Sequence, residues 1–395
     1  MALGCWLCRA PSTSECILGE LAEKYDYGPG TRMEEFCEVF QVKEKATGHS
    51  FSCKRFRKRD GRRVREIARN EAHMLKMIKH PNVLQLVDSF ETRTEYILIT
   101  EYATGKEVFE WLLELGRYSE QDASVVLHQV LTAVSHLHSL GIVHRDLKLE
   151  TLMYHTRNGD TNIVLTDFHL AKMEGRRIRE PCGTPEYLEG SSNKLCRLLF
   201  SAPEVVAKKK YGRPVDCWAV GVIMYILLSG NPPFYVECDD HANHDKSLYR
   251  QILAGNYEFD SPYWDEISDA AKDLVSKLLE VNQEHRMTAK EALAHEWTCG
   301  KAALDKDIKS GVCAQMKRNF AKRRWKKAFQ VTTVVKHLMG NQRGTNERKR
   351  RTDVEMETEG ETRSTDEEEA VGPEQKSQMS GLEEEEEKVC TKNQH

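Results

Sequence analysis

VHRDLKLETL, Val143 to Leu152, and TDFHLA, Thr166 to Ala171, hold the densest set of chemically capable side chains in the chain. Asp146, Lys148 and Asp167 lie close together in sequence, with Thr151 between them and His169 just after. Carboxylates in such a set can accept a proton or hold a divalent cation, an amine can neutralise anionic oxygens, and an imidazole adds a base or a nitrogen ligand. Upstream, FSCK ends on Lys54 and RNEAHML contains Glu71. Either alone is an ordinary surface charge; set on neighbouring elements they can form a fixed acid–amine pair.

Those groups need elements to hold them. From Tyr25 to Phe56 the pattern is strand-like, with FCEVFQV, a turn at Thr47-Gly48 and then HSFSCKRF. Residues 64–79 repeat apolar side chains at helical spacing, up to the turn signal His80-Pro81-Asn82. VLQLVDSF and EYILITEY complete a five-strand pattern, and beyond Ala103 the chain turns mostly helical, at 119–140, 214–230, 268–280 and 288–297. This order predicts an α+β chain, a small β-rich lobe followed by a larger helical one, with the reactive cluster near their junction.

The two opening segments resemble the H-R-D-L-x-x-x-N and D-F-G loops of protein kinases. Together with HPNVLQLVDSF, EPCGTPEYL, YGRPVDCWAVGVIMYILLSGNPPF and FDSPYWDEIS, they make about Tyr25 to Leu338 similar to the calcium/calmodulin-dependent protein kinases. The resemblance implies a two-lobed protein-kinase fold with ATP and Mg²⁺ as cofactors. It implies that Asp146 accepts the substrate hydroxyl proton, Lys148 steadies the γ-phosphate and Asp167 holds the metal. Lys54 would hold the α- and β-phosphates with Glu71 as its partner, and Thr100, Glu101 and Met153 would border the adenine. Leu75, Leu86, His144 and Phe168 would stack as a spine, Asp216 would anchor the reactive loop, and Glu204 would pair with Arg286. Glu107 and Glu150 match positions that recognise an arginine upstream of the phosphoacceptor, implying a basophilic Ser/Thr specificity.

Several positions depart from that pattern. Thr151 stands where the family has the metal-binding Asn, and a hydroxyl is a poorer hard-cation ligand than an amide carbonyl. His169 replaces a glycine. Where a glycine-rich loop should admit phosphates, Thr31 to Val39 read TRMEEFCEV, with Arg32 and Glu34 at the positions of the first two glycines. Ser52 replaces a small alanine above the adenine. Glu189 to Ser201 interrupts the run from GTPEYL into APE at the substrate-docking loop, and Glu180 stands near where related kinases carry an activating threonine, either pairing with Arg145 or remaining a solvated charge. Phosphoryl transfer depends on positioning and charge stabilisation, so these changes together predict a chain with little or no phosphotransfer, a pseudokinase. A weak calmodulin-dependent Ser/Thr kinase is the alternative. The altered positions count against ATP and Mg²⁺ binding, and calcium would enter only through calmodulin.

Beyond the kinase-like region, CAQMKRNFAKRRWKKAFQVTTVVKHLM, residues 313–339, sets Lys322, Arg323, Arg324, Lys326 and Lys327 among the apolar anchors Phe320, Trp325, Phe329, Val334 and Leu338. A basic amphipathic helix with aromatic anchors fits the Met-rich grooves of calmodulin, or lies on an anionic membrane. The family resemblance favours calmodulin and implies that Ile308 to Phe320 folds back on the helical lobe as an inhibitory part.

Composition divides the chain further. Its 395 residues carry a formal charge of −4, but residues 341–395 hold 9 Lys+Arg against 16 Asp+Glu. That tail has few large apolar side chains and reads as disordered. Arg348 to Arg351 within it reads as an import patch or, more commonly, as solvated tail charge. Four regions follow: 1–24, 25–298 with the interruption at 189–201, 299–340, and 341–395. Twelve scattered cysteines suit reduced thiols better than a disulfide framework. Met1 to Cys8, MALGCWLC, has Ala2 where myristoylation requires a glycine, but Cys5 and Cys8 could be acylated. No stretch reaches the length of a membrane span and no secretion signal is evident. The expectation is therefore a monomer that binds no nucleic acid. It would lie in the cytosol or on the cytoplasmic side of vesicles or the plasma membrane, the membrane site resting on the resemblance.

Overall fold

The computed structural model describes residues 21–34, 36–103, 105–157, 160–175, 178, 198–235 and 241–319, all within one unit of the chain, Met1–Gln330. Five strands open it: β1 (Tyr25–Met33), β2 (Glu38–Glu44), β3 (Ser50–Arg57), β4 (Leu86–Glu91) and β5 (Glu95–Glu101). They form one antiparallel sheet in the order β1-β2-β3-β5-β4. Alternation along β3 turns Cys53 to one small apolar cluster and Lys54 and Phe56 to the opposite face, where Phe56 joins a second cluster and Lys54 lies between Val39 of β2 and Leu98 of β5.

Helix α1 (Arg62–Met77) packs beside this sheet through Val64, Ile67, Ala68, Glu71, Met74 and Leu75, spaced three and four apart along one face. Glu71 is the exception on that apolar stripe, 1% exposed. A carboxylate is tolerated there only with a partner.

The helical lobe begins with α2 (Val108–Glu114) and α3 (Glu120–Ser139). Ser119 caps α3: its Oγ accepts from Asp122 N–H, and Asp122 Oδ2 accepts from Ser119 N–H at 2.8 Å. Glu120 is buried but satisfied, accepting from Ser268 N–H, Ser268 Oγ–H and Trp297 Nε1–H at 2.7–2.8 Å. Short β6 (Ile142–Val143), β7 (Leu152–Arg157), β8 (Asp160–Leu165) and β9 (Lys172–Met173) carry the loops of the cleft, β6 pairing β9 and β7 pairing β8. After α4 (Pro203–Val206) comes α5 (Pro214–Ser229), started by a proline at its first turn and buried from Val215 to Ser229, on every face. Then follow α6 (His241–Ala254), α7 (Asp269–Leu278), α8 (Ala289–Ala294) and a last helix, α9, at 309–319.

The small β-rich lobe, the larger helical lobe and helices α1, α3, α5, α7 and α8 are where the sequence predicts them, whereas α2, α4 and α6 are not among the predicted helices. Of the interrupting segment, residues 198–201 are described, and Leu198, Leu199 and Phe200 are buried in the helical lobe's core. The rest of that segment, Glu180, the acidic tail, Cys5 and Cys8 lie outside the described residues.

Candidate nucleotide cleft and regulatory segment

The acid–amine pair predicted between β3 and α1 is made. Lys54 Nζ donates to Glu71 Oε1 at 2.9 Å. Two further carboxylates crowd the same ammonium: Glu34 Oε2 at 3.6 Å and Asp167 Oδ1 at 3.7 Å. Burial works against the charge on Lys54, but the fields of Glu71, Asp167 and Glu34 prevail and hold its pKa well above the ordinary lysine value.

Glu34 reaches Lys54 because the β1–β2 connection is a tight turn, in which Glu34 N–H donates to Cys37 O at 2.9 Å. Where the kinase pattern has glycine backbone, this turn directs a carboxylate at Lys54. The sequence marks Glu34 as repulsive to a triphosphate; its direct pairing with Lys54 emerges only from the turn.

Asp146, 8% exposed, sits in the loop after β6, and Lys148 Nζ donates to its Oδ2 at 2.5 Å. The loop backbone is fixed from below by Asp216 of α5. Its carboxylate accepts from His144 N–H and Arg145 N–H, each at 2.9 Å, and His138 Nε2 lies 2.9 Å away. Those bonds hold Arg145 in a left-handed conformation, φ +72°. Burial pushes Asp216 towards its neutral form, yet the hydrogen bond and field of His138 outweigh it and its pKa is lowered.

Thr151 is buried, with its hydroxyl committed to the loop itself. Oγ1 donates to Lys148 O at 2.8 Å and accepts from Lys148 N–H at 3.1 Å. The side chain that replaces the metal-binding amide therefore closes a small backbone turn.

Asp167 also has a left-handed backbone, φ +67°, and its Oδ1 lies 2.5 Å from His169 Nδ1. Burial raises the carboxyl's pKa, but the charges of Lys54 and His169 dominate and hold it well below the ordinary range. The same pairing overcomes burial at His169 and raises the imidazole's pKa. His169 thus does more than add a Cβ in place of glycine: its ring engages the Asp167 carboxylate.

Of the remaining predicted positions, Thr100, Glu101 and Met153 line the same part of the fold. Thr100, buried at the inner end of β5, pairs with Ser52 across β3 and with Leu86 across β4. Glu101 N–H donates to Gln85 O at 3.0 Å, and Met153 stands on β7 opposite Val164. His144 and Phe168 meet edge to face with ring centres 4.8 Å apart, and Leu75 and Leu86 extend that packing into the small lobe. Arg286 and Glu204 form a two-pronged buried ion pair at 2.7 and 2.9 Å.

Beside Asp146 lies a cavity of about 30 Å³, lined in part by Phe200, Ser201, Ala202 and Val205. That is room for about one water. Phe200 and Ser201, at the end of the interrupting segment, thus line part of the space beside the reactive loop.

Helix α9 is seated on the helical lobe through Ile308 at its start, Val312, Cys313 and Met316, the last fully buried. Asn319 Nδ2 donates to Gly230 O at 3.0 Å and to Asn231 Oδ1 at 2.8 Å. Gly230 ends α5 with φ +76°, and a Cβ on it would stand 2.4 Å from Val312 O. The fold-back expected from Ile308 onwards is described as far as residue 319. Phe320, Trp325, Phe329, Val334, Leu338 and the lysines and arginines among them lie outside the described residues.

The Protein kinase domain family matches residues 34–298, and the chain belongs to that family. Within it, the chain is similar to the CaM kinase-like vesicle-associated proteins. It is 61% identical over 321 residues to those of Rattus norvegicus and Homo sapiens, and 60% identical over 321 residues to that of Danio rerio. The match takes in 81% of this chain and 61%, 62% and 71% of those proteins, so the chain spans under two thirds of the rat and human relatives.

Proposed function

We propose that this chain is a calmodulin-responsive scaffold built on the protein-kinase fold, with little or no phosphotransfer. One observation carries the reading: the cleft's own side chains make the contacts that a magnesium nucleotide needs. Glu34 stands at Lys54, His169 stands at Asp167, and the Thr151 hydroxyl is spent on the backbone of Lys148. These residues do not fit ATP with two Mg²⁺ ions, which requires open carboxylates, an unopposed lysine and a second-metal ligand. The parts that hold the fold, Asp216, the His144–Phe168 stack and the Glu204–Arg286 pair, are kept.

Calmodulin is the partner that suits the basic, aromatic-anchored segment after α9, and calcium acts through it. The relatives' name speaks of vesicle association. Among the described residues no helix is long and apolar enough to cross a membrane, and a peripheral site on the cytoplasmic face, aided by acylation of Cys5 or Cys8, is compatible with that.

The Lys54–Glu71 pair at 2.9 Å favours a second reading, a weak Ser/Thr kinase. Thermal unfolding with ATP, with and without Mg²⁺, and with Lys54→Ala as control, separates the two. A ligand at 100 times its dissociation constant stabilises by about 2.7 kcal/mol. The scaffold reading expects no shift at millimolar ATP. A Mg²⁺-dependent shift lost in Lys54→Ala, with phosphotransfer rising sharply in Thr151→Asn/His169→Gly, would establish the kinase reading instead.

A further inference from the structure

Asp146, Asp167 and His169 each bring one ligand atom within 4.8 Å of the other two, and among the described residues they alone form such a group. Two loops converge to make it. The loop after β6 is pinned by Asp216, and the turn after β8 is held by the left-handed Asp167 backbone and by Phe168 packed on His144. The His169 side chain is only 9% exposed. Its Nδ1 lies against Asp167, while its Nε2 is buried without a hydrogen-bond partner. An imidazole nitrogen left unpaired in the interior is costly. Its commonest uses are as a base or as a metal donor.

Charge points the same way. Around the cluster, Glu34, Glu71, Asp146 and Asp167 face Lys54 and Lys148, so carboxylates outnumber ammonium groups four to two and favour a cation. Lys148, bonded to Asp146 Oδ2, orients that carboxylate, as groups behind metal ligands commonly do.

The donor set selects the ion. Mg²⁺ prefers oxygen donors and usually relies on substrate phosphates, whereas two carboxylates and an imidazole suit Zn²⁺, Mn²⁺ or Co²⁺. Bonds of about 2.0–2.2 Å set such donors roughly 3–4 Å apart. Side-chain rotation at Asp146 and His169 would draw the more distant donors in and open the 2.5 Å contact between Asp167 Oδ1 and His169 Nδ1.

We propose that Asp146, Asp167 and His169 form a site for a borderline divalent transition metal, occupied without nucleotide. The glycine-to-histidine change then exchanges a nucleotide-dependent magnesium ligand set for one supplied wholly by the protein. The ion would tie the metal loop to the loop after β6. The inference does not depend on calmodulin binding or on the absence of phosphotransfer.

The test titrates the full chain, free of nucleotide and with Cys5→Ser and Cys8→Ser in place, with Co²⁺ followed by Zn²⁺. Visible absorption reports the ligand set. One equivalent of Co²⁺ should bind with a nitrogen–oxygen spectrum, without thiolate charge-transfer bands, and Zn²⁺ should displace it. His169→Ala and Asp167→Asn should each weaken binding by about tenfold or more. His169→Gln, which keeps volume and hydrogen bonding, should weaken it similarly while unfolding at the parent temperature. Absence of binding, thiolate bands, or unchanged affinity in either His169 variant would overturn the proposal.

Discussion

Replacing Gly230 by alanine should loosen α9 selectively. The new Cβ would lie 2.4 Å from Val312 O, 2.8 Å from Gln315 Cβ and 3.1 Å from Met316 N, whereas ordinary contact begins near 3.4 Å. Val312 O belongs to backbone, so the helix must retreat by about 1 Å, the shortfall between those distances. Ile308, Val312 and Met316 are buried against the lobe, and at about 1.5–3 kcal/mol each they contribute roughly 5–9 kcal/mol to seating it. A gap of 0.5–1 Å forfeits about a quarter or more of the contact energy. The seat should therefore weaken by about 1–4 kcal/mol, roughly tenfold or more in the opening equilibrium. A separate cost arises because alanine at φ +76° is strained by about 1–2 kcal/mol, but that strain acts whether α9 is seated or not. Native-state hydrogen exchange distinguishes the two costs. Amides of 309–319 should exchange faster by roughly tenfold or more, beyond any change shared with α5, and Met316→Ala should do the same without strain at the cap. Unchanged protection of α9 in Gly230→Ala, alongside a lowered Tm, would refute the reasoning and leave cap strain as the whole effect.

Three other outcomes are expected. Glu204→Gln leaves the Arg286 guanidinium, with a side chain 0% exposed, without its carboxylate; a loss of about 3–5 kcal/mol is expected and is checked by denaturant unfolding. Asp216→Asn tests the anchor of the reactive loop. The pKa of Asp216 is lowered in the fold, so its contribution is present above its ordinary value of 3.8 and disappears as pH falls through the lower folded value. The stability gap between the parent chain and Asp216→Asn should be steady near neutrality and shrink only below about pH 4; a gap that closes between pH 8 and pH 5 would contradict this. Trp325→Ala should weaken calmodulin binding by about 2 kcal/mol or more, as loss of a central aromatic anchor does, with little change in Tm; isothermal titration with calcium-loaded calmodulin reads it.

Much of this molecule is legible in its residues because local chemistry decides it. Period-two and period-3.6 apolar patterns place the five strands and the helices, since one face of each must leave water. Ser119 with Asp122, Pro214 and Gly230 set helix ends by bonds and backbone angles confined to a few neighbouring residues. The resemblance to protein kinases likewise implies that Lys54 meets Glu71, that Asp216 anchors the reactive loop and that Glu204 meets Arg286, because the fold joins them in a fixed way.

What those residues do to one another was settled by tertiary structure. That His169 stands where glycine belongs is plain in the sequence; that its ring turns onto Asp167 and buries Nε2 depends on the loops that enclose it. Glu34 reads as repulsion to a phosphate, but its reach to Lys54 follows from a four-residue turn between β1 and β2. Thr151 reads as a weaker ligand, and only the folded loop shows its hydroxyl committed to Lys148. Nor does any local pattern reveal that Gly230 must lack a side chain to seat Val312 and Met316. The physical reason is common to all four: sequence spacing fixes which groups lie near one another along the chain. Electrostatic pairing at 2.5–4 Å depends on angles set by packing between distant segments.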